Sequence, residues 1–396
     1  MELSDVLTPA LLVERTQLEE NIHAMHSRVE SFGIHIRPHV KTGKCLEIAK
    51  LQHNAGATGL TVSTLKEAEY FFDAGFNDIL YAVSISPQKF KKVHELLDRG
   101  CDLRIITDNV ETAMRIRNYG ELHKIYFSVL IEIDTDDHRA GVKPDSPILL
   151  DIARELTADV RGGAHLLGVM THAGGSYECT TPDSLILFAE KERSGCVLAA
   201  ERLRSAGYSC PIVSIGSTPT VLSSLDFTGV TEARVGVYVF HDLVMNHIGV
   251  CSIPQIALSV LTTVIGHQPE KNWILIDAGW MAMSRDLGIH SSSYGFGYGL
   301  VVPVDNSSSS DSLQFVSTNQ EHGIIVYKPS SHEDSTLSLV EKYPIGTMFR
   351  ILPNHACATA SQFSEYHIIE KKKDSNDCHS KSQWIITDVW KRFNGW

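Results

Sequence analysis

Lys41 is a primary amine in the run RPHVKTGK, Arg37 to Lys44, just past the apolar-alternating stretch Ser31 to Ile36. In an extended chain successive side chains alternate between faces, so His39 and Lys41 would share one face and Val40 and Thr42 the other. A solvated lysine at a strand end is the ordinary reading, since lysine is rarely buried. An amine partly withdrawn from water, or close to other positive charge, is instead a nucleophile able to form a Schiff base with an aldehyde. His39 would then help to position it, or be a packed core histidine. A second pair lies far along the chain, where His355 and Cys357 stand two apart in PNHACAT. In an extended segment both side chains point the same way. Imidazole nitrogen and thiolate sulfur suit Zn²⁺, and two protein ligands would leave coordination positions open for water or substrate, as a catalytic rather than a structural ion requires. Coincidence also produces a His-x-Cys pair.

The elements that would position these groups alternate between strand and helix. Strand signals fall at His35 to Lys41, Ala57 to Ser63, Asp78 to Val83, Cys101 to Thr107, Lys124 to Asp134, His165 to Thr171, Pro211 to Ile215 and Val230 to Val235. Helical patterns lie between them, and another precedes them, with Leu18, Ile22, Met25 and Val29 on one face. Parallel strands joined by right-handed helical crossovers, in eight units, predict a (β/α)8 barrel. Its catalytic groups would sit at the C-terminal ends of the strands, where Lys41 falls. Phosphate needs backbone N–H groups at a glycine turn or helix start. Gly216, Ser217 and Thr218 follow the seventh strand, and Gly236, Val237 and Tyr238 follow the eighth, the usual phosphate position in barrels. A short helix, Pro219 to Ser224, follows the first of these turns.

Beyond about Val250 the pattern changes to short strands, Val260 to Ile265, Trp273 to Asp277, Leu313 to Ser317, His322 to Tyr327, Thr347 to Ile351 and Glu365 to Ile369, separated by turn residues. The expected organisation is a barrel over residues 15–250, with residues 1–14 and 251–396 forming a mainly β domain that carries His355 and Cys357. Asn306 to Ser312 and Lys371 to Ser382 read as solvated loops.

The 396 residues are 43% hydrophobic and 21% charged, with net charge −12, the balance of a soluble globular protein. An acidic chain without a basic block argues against nucleic acid or an anionic membrane surface as partner. The N-terminus lacks a signal-peptide pattern and no apolar run approaches the length of a membrane span, so a cytoplasmic location is expected. Eight scattered cysteines without a Cys-x-x-Cys pair read as thiols in a reducing compartment.

The TPALLVE run at Thr8 to Glu14, PHVKT at Pro38 to Thr42 and NHACAT at Asn354 to Thr359 together resemble the D-serine dehydratase and D-threonine aldolase family, over nearly the whole chain to the closing RFNGW. That resemblance implies the alanine-racemase-like fold of enzymes dependent on pyridoxal 5'-phosphate (PLP), with PLP bound to Lys41, which then takes the substrate's α-proton. It implies that Arg139, in IDTDDHRAGV, approaches the cofactor's phenolic oxygen. The reading of Arg139 as a surface ion pair with Asp136 or Asp137 stays open. Tyr177, in THAGGSYEC, matches the tyrosine beside the Schiff base, and Arg234 is a candidate partner for the ring nitrogen, a position at which relatives vary. The resemblance further implies zinc at His355 and Cys357, and a homodimer in which barrel and β domain pair to close the sites.

The activity so implied is elimination of water from a D-hydroxy amino acid, D-serine to pyruvate and ammonia first. The alternatives are D-threo-3-hydroxyaspartate dehydration and retro-aldol cleavage of D-threonine, the latter with an oxygen ligand expected in place of Cys357. A racemase would need an opposite-face tyrosine base that the sequence does not assign. A non-catalytic PLP carrier of this fold would lack the C-terminal β domain.

Overall fold

The computed structural model describes residues 1–158, 162–288, 296–304, 312–328, 338–372 and 384–396. The chain forms two compact units, Met1–Asn21 with Val239–Asn394, and Ile22–Tyr238 with Gly395–Trp396. The sequence expectation put these crossings at Arg15 and near Val250.

The first strand, β1 (Ala10–Glu14), belongs to the former unit. The latter unit holds eight parallel strands, β2 (His35–Ile36), β3 (Leu60–Val62), β4 (Asp78–Ser84), β5 (Asp102–Thr107), β6 (Phe127–Ile133), β7 (Ala164–Thr171), β8 (Ile212–Ile215) and β9 (Glu232–Ala233). They run in the order β2-β9-β8-β7-β6-β5-β4-β3. A single parallel bridge, His39 to Thr61, joins the two ends, so the expected barrel is present. Strands covered on both faces must be apolar throughout, and Val129, Leu130, Ile131 and Ile133 of β6 are all fully buried. The helices between strands bury one stripe each, as Phe90, Val93 and Leu96 do in Phe90–Asp98. Several begin with a side-chain cap: Thr64 accepts the Glu67 N–H, Asn109 the Thr112 N–H and Thr181 the Ser184 N–H.

Arg37 ties the lysine-bearing segment into this barrel. Its guanidinium, 3% exposed, donates to both Asp78 carboxylate oxygens at 2.6 and 2.8 Å and to Glu232 at 3.0 Å. Glu232 also accepts from the Ser214 hydroxyl at 2.6 Å, and Arg234 donates to that hydroxyl at 2.9 Å.

In the other unit, β10 (Leu258–Gln268), β11 (Trp273–Ile276), β12 (Leu300–Pro303), β13 (Leu313–Thr318), β14 (Gly323–Tyr327), β15 (Met348–Leu352), β16 (Glu365–Lys371) and β17 (Trp384–Lys391) join β1 in one sheet. Its main path is β13-β14-β11-β10-β1-β16-β17, with β15 pairing both β10 and β12. All six strands expected there are present. Sequence reading missed β12 and β17, although Trp384, Ile386 and Trp390 of β17 alternate inward. Residues 305–311 and 373–383, which hold most of the two expected solvated loops, lie outside the described residues.

Candidate active-site residues and metal ligands

Lys41 does not lie on a strand. β2 ends at Ile36, His39 makes only the isolated bridge, and Lys41 follows in a turn. The expected sharing of one strand face by His39 and Lys41 is therefore replaced by a tighter arrangement, in which the Lys41 N–H approaches His39 Nδ1 at 3.5 Å. Proline at position 38 explains why the ladder thins here, since it supplies no N–H.

Around that turn the barrel gathers its polar groups. Burial holds the His39 imidazole well below its usual range, and the charges of Lys41, Arg234 and the neighbouring His172 add to that. Burial, with Lys41 next, likewise pushes His172 down to about 3, while its Nδ1 lies 2.6 Å from the Gly216 carbonyl oxygen. Both rings are thus neutral near pH 7, and Lys41, Arg139 and Arg234 supply the positive field. Sequence reading passed over His172, yet its place directly after β7 in THAGG was the available signal.

Arg139 is 59% exposed, and its partner is Glu132, at 3.6 Å, rather than Asp136 or Asp137. Lys143 takes Asp137, together with Asp134 at 2.7 Å. Tyr177 sits in the short helix Gly174–Glu178, its ring 6.4 Å from that of His172. Arg234 is buried and donates to the Thr171 carbonyl as well as to Ser214. Burial pushes its guanidinium down while Glu232 and Glu192 pull it back up.

Part of the first turn expected to bind phosphate is already committed. Glu192, fully buried, accepts the Gly216 N–H at 3.1 Å, the Ala173 N–H at 3.0 Å and the Thr220 hydroxyl at 2.5 Å. The Ser217 N–H leans on Thr220 Oγ1 at 3.3 Å. Thr218 differs: its hydroxyl is buried without a hydrogen-bond partner, the condition of a group awaiting an anion. At the second turn a side chain on Gly236 would crowd the Thr42 hydroxyl at 3.0 Å and the His39 carbonyl at 3.2 Å. Val237 is buried, and the Tyr238 side chain turns into the core, its hydroxyl 2.9 Å from Gln52 Nε2 and 3.2 Å from His26 Nε2. Any role of Tyr238 toward a phosphate thus falls to its backbone. An orphaned hydroxyl, a close backbone approach and three cations around neutral histidines fit a phosphorylated aldehyde bound to Lys41.

In the other unit, His355 caps the short helix Ala356–Ala360, which includes Cys357. His355 Nδ1 lies 2.6 Å from Asp286 Oδ2. Burial works against the imidazolium, but Asp286 and Cys357 raise it to about 11. Asp242, fully buried, accepts the Ala356 N–H at 2.9 Å and the Met245 N–H at 2.9 Å, pinning the backbone between the two residues. An imidazole and a thiol two residues apart at the start of one helix are donors that suit Zn²⁺. Among the described residues no group of three or more His, Cys, Asp or Glu side chains could hold a metal ion. Neither Asp242 nor Asp286 was singled out from sequence, for an aspartate distant along the chain gives no local signal.

Two family descriptions match the chain: an alanine racemase N-terminal domain over residues 13–243 and a serine dehydratase domain over residues 257–369. The chain is 48% identical to D-threo-3-hydroxyaspartate dehydratase of Delftia sp. (strain HT23), covering 98% of each chain. It is 34% identical to D-serine dehydratase of Dictyostelium discoideum, over 93% of this chain and 94% of that one. A solved structure of D-threo-3-hydroxyaspartate dehydratase from Delftia sp. HT23 matches with a TM-score of 0.91 at 47% identity, covering 100% of this chain and 99% of that one. Variants of an enzyme of that name match equally well: a cysteine-to-alanine variant in the metal-free form and a histidine-to-alanine variant, the substituted positions lying two apart.

Proposed function

We propose that this chain, which belongs to the D-serine dehydratase family of alanine-racemase-fold, PLP-dependent lyases, removes water from D-3-hydroxy amino acids with the help of zinc. The observation that carries this reading is the His355 and Cys357 pair, a nitrogen and a sulfur donor two residues apart at the start of one short helix. Its spacing equals that of the histidine and cysteine replaced in the dehydratase variants, of which the cysteine variant is the metal-free one.

PLP on Lys41 would supply an electron sink at the α-carbon, and zinc on His355 and Cys357 a Lewis acid for the β-hydroxyl. Lys41 would take the α-proton, with neutral His39 and His172 beside it. Arg139 and Tyr177 would border the reacting end, Arg234 is the candidate for the ring nitrogen, and Thr218 with the Gly236, Val237 and Tyr238 backbone would hold the phosphate, the Gly216 and Ser217 N–H groups being engaged by Glu192 and Thr220. Loss of water followed by hydrolysis gives the 2-oxo acid and ammonia. D-Serine, yielding pyruvate, and D-threo-3-hydroxyaspartate are the substrates, and the 48% relative puts the latter first. A thiol at position 357, rather than an oxygen ligand, favours dehydration over retro-aldol cleavage of D-threonine. The reading includes a homodimer and a cytoplasmic location. All seven described cysteines are thiols, and no described helix is long and apolar enough to cross a membrane.

The test separates the two bonds that break. Cys357→Ala, or chelation, should lower oxo-acid formation at least ~100-fold while leaving exchange of the substrate α-proton into D₂O largely intact, because proton removal needs only Lys41 and the sink. Undiminished oxo-acid production by the zinc-free variant would refute the metal's role.

A further inference from the structure

We infer that Asp286 is the positioning residue of the metal centre, fixing the His355 imidazole so that Nε2 is the nitrogen offered to zinc. The inference rests on His355 and Cys357 being the ligands. An imidazole has two nitrogens, and a carboxylate hydrogen-bonded to one of them sets the tautomer, stops the ring from turning and makes the other a better donor. Asp286 Oδ2 lies 2.6 Å from His355 Nδ1, so that nitrogen donates and is lost to the metal.

The carboxylate is itself held. Its second oxygen accepts the Gly288 N–H at 2.7 Å, and the Asp286 backbone N–H donates to the Ser284 hydroxyl at 3.1 Å. The turn that carries it stays against the ligand segment, since Thr359 donates to the Met283 carbonyl at 2.8 Å. A side chain at residue 288 would run into Val244, so glycine lets the turn come this close. Asp286 and Asp242 therefore divide the work: Asp242 fixes the backbone at Ala356, and Asp286 fixes the ring of His355. An exposed ion pair would have little effect of this kind, but this one is tied down from its own loop. With Oδ2 spent on Nδ1, Asp286 acts through the histidine rather than as a third ligand.

The experiment compares the holoenzyme with Asp286→Ala, the nearly isosteric Asp286→Asn, Asp286→Glu and His355→Ala. It measures zinc affinity by competition with a chromogenic chelator, and the visible bands of the Co²⁺-substituted proteins. Asp286→Ala should weaken zinc about ten- to hundredfold and shift the cobalt bands. Asp286→Asn, whose amide oxygen can still accept from Nδ1, should weaken it less, and neither should change the PLP absorbance. Wild-type zinc affinity and unchanged cobalt bands in Asp286→Ala, beside loss of zinc in His355→Ala, would overturn the positioning role and leave the metal site standing. Loss as complete in Asp286→Asn as in His355→Ala would make Asp286 a ligand, which also overturns it. Wild-type zinc affinity in His355→Ala would overturn the metal site and the inference together.

Discussion

A histidine at the heart of a cationic site is useful when it stays uncharged, and His172 is held in that state by burial and by Lys41. The consequence is a pH dependence of definite sign. The unfolded chain binds a proton at His172 near pH 6.5, whereas the folded one resists until about 3, so this residue's stabilisation is complete above 6.5 and is lost as pH falls through that window. His26 and His241, both lowered to about 4 by burial, act in the same sense, and the raised carboxyls of Glu132 and Glu192 act against them. Replacing His172 with asparagine isolates its share. The variant should be less stable at pH 7, and the gap should narrow below pH 6.5 by up to about 1.4 kcal/mol per pH unit. Denaturant titrations at several pH values check this, and parallel curves would contradict it. His172 was legible only as a residue at a strand end; that it faces Lys41 depends on how the barrel closes, which no local pattern conveys.

At the scale of elements, the turn carrying Lys41 is held by charge as much as by a ladder. β2 is only two residues long, and Arg37 bonds across to Asp78 at the start of β4 and to Glu232 on β9. Removing the guanidinium strands the nearly fully buried Glu232 and leaves Asp78 with Arg104 as its remaining cation. Arg37→Ala should therefore cost about 3–5 kcal/mol in urea unfolding, and a loss below about 1 kcal/mol would show the network to be dispensable. The strands themselves were readable because buried parallel strands are apolar runs and their helices carry one apolar stripe. Their ends were not: His35 to Lys41 reads as one strand by alternation, but Pro38 and the salt bridges of Arg37 convert its second half into a bridge and a turn. The turn at Gly216 to Thr218, proposed to bind phosphate, shows the same limit. Glycine and hydroxyl residues marked it, but that Glu192 takes the Gly216 N–H is decided by a helix 24 residues upstream.

At the scale of the molecule, two units of different architecture were legible because the period of the sequence changes between them. The residues proposed to hold PLP and zinc fall in separate units, so the proposed chemistry needs both, and exclusion of water from that chemistry is the reason to expect a homodimer. Light scattering should give about twice the chain's 43.8 kDa; a fully active monomer would contradict it. The claim that joins residues to whole molecule is stereochemical. On the proposed roles Lys41 would meet the α-proton and the metal the β-hydroxyl, so only one enantiomer could present both bonds correctly. The most direct measurement is 2-oxo acid release from D- and L-forms of serine, threonine and threo-3-hydroxyaspartate by the zinc-loaded enzyme. Turnover confined to the D-forms, fastest with D-threo-3-hydroxyaspartate and clear with D-serine, is the expected result; equal turnover of L-serine, or glycine and acetaldehyde as the main products from D-threonine with no oxo acid from any D-substrate, would contradict it.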